Sequence, residues 1–78
     1  MSRASSIRAH SVIIWVIYYD PADYPGKFVV RRWQGIEADQ WPRAICPTLE
    51  TARAAVPKGY INVGKSPGSD SVILEEWI

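Results

Sequence analysis

The sequence predicts an α+β domain: a three-stranded antiparallel sheet with one short helix packed on a face, in the order β-β-α-β. Three observations lead there. "SVIIWVIYY" (11–19), "KFVVRRWQ" (27–34) and "SVILEEWI" (71–78) are rich in β-branched and aromatic residues, as strands are. "TLETARAAV" (48–56) places Leu49, Ala52 and Val56 at helical spacing. Proline and glycine punctuate the connections, and no segment repeats another. A chain of 78 residues has room for one domain. A domain of that size buries on the order of 60% of its unfolded surface. Four tryptophans and four tyrosines offset the small core, since each aromatic can bury roughly 150–250 Å².

The first strand, 11–19, is apolar on both faces, which suits the middle of the sheet. Asp20-Pro21 ends it, because proline has no N–H to donate to a ladder. In Tyr24-Pro25-Gly26-Lys27, proline is second and glycine third, the pattern of a type II turn. A loop over about residues 20–26 therefore joins the first two strands. In the second strand Phe28, Val30 and Arg32 point one way, and Val29, Arg31 and Trp33 the other. The adjacent arginines thus lie on opposite faces.

Residues 35–47 show no clean period and are expected to form a loop, with Trp41-Pro42 and Ile45 tucked against the edge of the core. Thr48 suits a helix N-cap, and Glu50 in the first turn favours the helix dipole. Pro57 and Gly59 end the helix. Residues 57–70 are a turn-rich connection in which "YINV" offers a brief strand or a packed arm. In the last strand Val72, Leu74, Glu76 and Ile78 share one face, and Ile73, Glu75 and Trp77 the other. With the most apolar strand central, the spatial order is 2-1-3, all antiparallel. The competing arrangement sets the third strand parallel to the second through a right-handed crossover.

Residues 1–10, "MSRASSIRAH", are basic, serine-rich and free of acids, and they precede an apolar run, which loosely imitates a signal peptide. That run holds Trp15, Tyr18 and Tyr19 and leads into "DPADYPG", which has no small-x-small cleavage site. It is also far short of the about 20 apolar residues that cross a bilayer. The reading is a flexible leader over 1–10, a single domain over 11–78, no membrane association and a cytoplasmic location. A lone Cys46 agrees, since one thiol makes no intramolecular disulfide and no cysteine-based metal site.

The net charge is +1 but unevenly spread. Residues 1–34 carry Arg3, Arg8, Lys27, Arg31 and Arg32 against Asp20 and Asp23, giving +3, while residues 35–78 come to −2. Without the first ten residues the remainder is −1. A dedicated nucleic-acid binder shows a clear basic excess, which this chain lacks.

No catalytic constellation is legible. His10 is the sole histidine and falls in the leader, where it cannot be a positioned base. Cys46, between Ile45 and Pro47, fits a half-buried small apolar residue better than a reactive thiol. One His, one Cys and scattered acids give no metal-ligand spacing. "GKSPGSD" (64–70) lacks the order of a phosphate-binding loop and a helix behind it. No metal and no cofactor are expected.

The sharpest surface feature is Lys27, Arg31, Arg32 and Trp33, with Tyr18 and Tyr24 nearby. As a nucleic-acid site, the cations meet phosphates and Trp33 stacks on a base. As ordinary structure, the arginines pair with Glu75 and Glu76 across the sheet, each exposed pair worth roughly 0.2–1 kcal/mol, and Trp33 is buried beside Trp77 or Trp15. The near-neutral charge favours the second reading. A three-stranded sheet with one helix also leaves an apolar face. Either the loops at 35–47 and 57–70 fold over it, or another chain does.

"WVIYYDPADYPGKFVVRRW", "TLETARAAVPKGY" and the closing "ILEEWI" resemble a group of small bacterial proteins with an aromatic strand, an Asp-Tyr/Phe-Pro turn, "FVVRRW", a "TLEEAR" helix and a terminal "VEVWI"-like strand. The resemblance covers most of residues 13–78. It implies the same fold and a bacterial or phage-derived setting, and it brings no activity and no catalytic residue.

The expected function is a non-enzymatic interaction or accessory protein that binds a protein partner or itself, through Tyr18, Tyr24, Lys27, Arg31, Arg32 and Trp33. The alternatives are nucleic-acid binding by the same surface, and an enzyme subunit completed by a partner. The mark of the last would be a small-molecule pocket lined by Tyr and Arg at the hairpin loop.

Overall fold

The computed structural model describes residues 12–78. The expected leader, its His10 and the first residue of the 11–19 strand lie outside those residues. The chain forms a single antiparallel sheet with one short helix on one face: β1 (Ile13–Tyr19), β2 (Phe28–Gln34), β3 (Glu37–Ala38), β4 (Ala44–Cys46), α1 (Leu49–Ala55), β5 (Asn62–Gly64) and β6 (Ile73–Trp77). The sheet runs β3-β2-β1-β6-β5, and β4 also pairs with β2.

The α+β class and the central place of β1, between β2 and β6, agree with the sequence. The strand count does not: the sheet has six strands, not three. The extra three are two or three residues long. Strands that short carry no periodicity, and they form because the free edges of β2 and β6 present backbone groups that need partners. β3 and β4 share the outer edge of β2, so the 35–47 stretch is an edge element as well as a loop. The "YINV" stretch does become a brief strand, β5, on β6.

The turns follow local chemistry. Gly26 adopts φ 72°, Lys27 N–H donates to the Tyr24 carbonyl at 3.3 Å, and Gly26 N–H donates to Asp20 Oδ1 at 2.7 Å. Gly35, at φ 62°, opens a two-residue turn between paired Gln34 and Glu37, the glycine position of a type II′ hairpin. Thr48 caps α1: its hydroxyl accepts from Thr51 N–H at 3.1 Å, and Thr51 Oγ1 accepts from Thr48 N–H at 3.4 Å.

One face of the sheet carries the core. Trp15, Ile17, Val30 and Cys46 pack with Ala52 and Val56 of the helix segment, flanked by Phe28, Leu49, Tyr60 and Trp77. Tyr60 meets Trp15 edge-on at 6.0 Å, and Arg43 lies over the Trp15 ring at 5.7 Å. Trp15 Nε1 is buried without a hydrogen-bond partner. Trp41 and Ile45, expected at the edge of the core, are instead 69% and 47% exposed. The reason for Ile45 is register: it pairs with Val29, whose side of the sheet faces away from the helix.

α1 is tied to β6 by an ion pair. Arg53 Nε donates to both Glu75 oxygens at 3.1 and 3.0 Å, its Nη2 donates to Oε2 as well, and Trp77 Nε1 donates to Oε1 at 3.2 Å. Glu75 is the one buried charged residue among the described residues, 7% exposed. The Arg53 hydrogen bond, foremost, holds its carboxyl below the ordinary value against the opposing effect of burial.

Candidate functional site

The face of the sheet opposite α1 is built from alternate strand residues. Ile14 pairs with Trp33, Val16 with Arg31, Tyr18 with Val29, and Val29 in turn with Ile45. From β6, Glu76 lies opposite Val16 and Ile73 opposite Tyr18. A bulge at Leu74 between these pairs moves Ile73 onto the same face as Glu76, where strict alternation had put it on the other. Ile78, two residues past Glu76, exchanges backbone hydrogen bonds with Ile61, and both are exposed.

This face holds two open depressions. The larger, about 410 Å³, lies at the hairpin end and is lined by Tyr18, Val29, Arg31, Asp23, Asp70 and Val72 among others. The smaller, about 220 Å³, is lined by Ile14, Val16, Trp33, Gly35, Ile73 and Glu76. A hydrogen bond from Trp33 Nε1 to the Tyr18 hydroxyl, 3.0 Å, joins one residue from each. Val16 and Val29 are only 5% and 1% exposed. The face therefore has an apolar floor with a polar margin.

The predicted binding residues divide. Tyr18, Arg31 and Trp33 come together on this face. Arg32 is on the helix face, opposite Trp15, as the alternation required. Tyr24 and Lys27 close the hairpin turn through their backbones.

The expected pairing of the arginines with Glu75 and Glu76 is not what forms. Arg31 Nη1 donates to the Asp39 and Gln40 carbonyls at 2.8 and 3.1 Å, and its Nη2 lies 3.6 Å from Asp23 Oδ2. Arg32 Nε and Arg43 Nε share Asp39 Oδ2 at 3.1 and 3.2 Å. Burial alone would raise the Asp39 pKa, but the two guanidiniums together bring it below its ordinary value. Glu75 goes to Arg53, and Glu76 accepts from Ser66 N–H, Ser66 Oγ and Ser69 Oγ at 3.1, 2.8 and 3.0 Å. The cause is distance along the sheet. β1 separates β2 from β6, whereas the β3–β4 loop passes beside β2 and brings Asp39 within reach. Trp33 likewise does not meet Trp15 or Trp77, which share the opposite face.

The phenol of Tyr18 titrates above its ordinary value. Burial is the main cause, the Trp33 hydrogen bond and Arg31 oppose it, and the carboxylates of Asp70 and Glu76 add to it. Glu76 is held below the ordinary value, chiefly by the Ser66 N–H. Cys46 is buried in the core. Among the described residues no group of three His, Cys, Asp or Glu side chains is placed to hold a metal ion. No helix there is long and apolar enough to cross a membrane.

Residues that sequence reasoning missed at this face are Asp23, Asp70, Val72 and Ile73. Their only sequence signal was position beside the two turn-rich loops. Comparison with family models, curated proteins and solved structures yields no match, so the site is read from its own geometry.

Proposed function

We propose that this protein is a non-enzymatic interaction module that binds a protein segment across the open face of its sheet. The observation that carries the reading is a pair of open depressions on the side without α1, one lined by Val29 and Val72 and the other by Ile14, Val16 and Ile73. Open depressions lined mainly by apolar side chains, with a few polar groups at the margin, are where ligand and partner side chains seat.

Three further observations support a protein rather than a nucleic-acid partner. Arg31 and Arg32 lie on opposite faces, so no flat surface presents both. Each guanidinium already has an acceptor within the chain. Asp23, Asp70 and Glu76 surround Tyr18 and Trp33, where phosphates would be repelled. Nucleic-acid binding through Lys27, Arg31, Arg32 and Trp33 is thus the less supported alternative.

A pocket with Tyr18 and Arg31 does lie at the hairpin loop, the mark set for an enzyme subunit. The raised pKa keeps the Tyr18 phenol protonated at neutral pH, and Arg31 is occupied by two carbonyls and Asp23. A general base would need a pKa nearer neutrality, so the pocket supports binding more than catalysis.

The test replaces the floor. Ile14→Glu and Ile73→Glu should each abolish binding of a partner captured by the wild-type chain, while Arg32→Ala on the helix face should leave it intact. Gel shifts with single-stranded DNA and RNA at low salt should show no complex. A salt-sensitive shift lost in Arg31→Ala/Arg32→Ala would reverse the assignment. Sedimentation of the wild-type chain reports whether the partner is a second copy: a dimer that Ile14→Glu dissociates identifies self-association.

A further inference from the structure

We propose that the larger depression receives a cationic side chain, lysine or arginine, from an extended segment of the partner, and that the smaller one receives an apolar side chain two positions away. The inference rests on the reading of this face as a protein-binding surface and names the chemistry of the partner.

The charge around the face is one-sided. Asp23, Asp70 and Glu76 face it against Arg31, with Lys65 near enough to Glu76 to act on its carboxyl, so the three acids still outnumber the two cations. Arg31 is already committed to the Asp39 and Gln40 carbonyls and to Asp23. Asp70 accepts Val72 N–H through Oδ1 at 3.3 Å, and among the described residues neither it nor Glu76 has a cation within ion-pair distance. The net charge at the mouth is therefore negative, and the carboxylates of Asp70 and Glu76 both act on the Tyr18 phenol. A peptide carboxylate or a phosphate is disfavoured there, and an ammonium or guanidinium is favoured.

The shape agrees with a long cationic side chain. Val29 at the floor, with Val72, Pro21, Ala22 and Ala38 around it, offers apolar surface for an aliphatic stem. Asp23 and Asp70 line the same depression and are both exposed, so their carboxylates are open to a charged head group. Tyr18 and Trp33 stand between the two depressions, joined by their hydrogen bond. Along β1, Val16 lines the smaller site and Tyr18 the larger, two residues apart on one face. An extended peptide repeats its facing side chains at the same interval, about 6.6–6.8 Å. A peptide lying along β1 would place a lysine or arginine by Tyr18 and a branched apolar residue over Val16 and Ile73.

The probe is acetyl-Lys-Ser-Leu-amide, titrated into the isotope-labelled full chain at low salt and followed by NMR. Acetyl-Nle-Ser-Leu-amide and acetyl-Glu-Ser-Leu-amide are run alongside. The expected result is saturable amide shifts at Tyr18, Val29, Asp70 and Val72 with the lysine peptide. Binding should be about fivefold weaker with norleucine, as a partly exposed ion pair allows, and undetectable with glutamate. Asp70→Asn, on the exposed rim, should bring the lysine peptide down to the norleucine level and leave the norleucine peptide unchanged. Equal binding of the lysine and norleucine peptides on this face would overturn the cationic preference and leave the docking surface standing. Shifts confined to the helix face, or no saturable shift with any of the three, would overturn both.

Discussion

Glu75→Gln isolates the ion pair that fastens the helix to the sheet. Glu75 is 7% exposed and accepts three hydrogen bonds from Arg53 and one from Trp77. Glutamine keeps the size and one acceptor oxygen but loses the charge. Hydrogen bonds to charged groups contribute about 1.5–3 kcal/mol and neutral ones about 0.5–1.5. The Arg53 side chain is 47% exposed, so solvent screens the pair and the lower end applies. The expected loss for Glu75→Gln at neutral pH is about 1 kcal/mol, read from urea unfolding at constant m-value. The pH dependence is the sharper assay. The folded-state pKa of Glu75 is depressed, so its contribution is fully present above the unfolded-state pKa and is lost as pH falls through the folded one. The gap between wild type and Glu75→Gln should hold constant from about pH 7 to 5 and close as pH falls further. A gap that stays constant down to pH 3, or that widens on acidification, would refute the account of Glu75 as a charged partner.

Three other outcomes follow from single contacts. Ile17→Ala, at a fully buried position in β1, should cost about 2–5 kcal/mol and lower Tm by more than about 8 °C in a domain of this size. Calorimetry of the purified variant checks it. Thr48→Ala removes the reciprocal cap with Thr51 and should cost about 0.5–2 kcal/mol, with part of the helical circular dichroism lost before the sheet unfolds. Tyr18→Phe deletes the acceptor of Trp33 Nε1 and should destabilise by about 0.5–1.5 kcal/mol. The Trp33 indole N–H should then exchange faster with solvent, and an unchanged exchange rate would deny the hydrogen bond.

How much of the candidate site was legible depended on the range of the interactions involved. Arg31 and Trp33 are legible as a pair because strand alternation alone puts them on one face, whereas Tyr18 joins them through the register of β1 against β2. The acids opposite them could not, since Asp23 and Asp70 reach the face through loops whose paths no periodicity encodes. Gly35-Ile36 did carry a readable sign, a glycine at the first turn position followed directly by a return strand. The pattern still reads as loop, because the strand behind it is two residues long.

The sequence by itself determined which segments become β1, β2, α1 and β6, and where they stop. β-branched runs, a threonine cap, a Pro-Gly turn and helical spacing act within a few residues, and tertiary contacts here reinforce them. It also favoured a central β1, a strand apolar on both sides, but the antiparallel pairing of β1 with β6 is what excluded the parallel crossover arrangement. Only the tertiary structure decided that the sheet grows to six strands, that a bulge at Leu74 turns Ile73 toward Tyr18, and that each charge finds the partner it does. Those outcomes depend on which free edge or guanidinium lies within about 3 Å of which loop. That is a property of the assembled chain and is carried by no local pattern of residues.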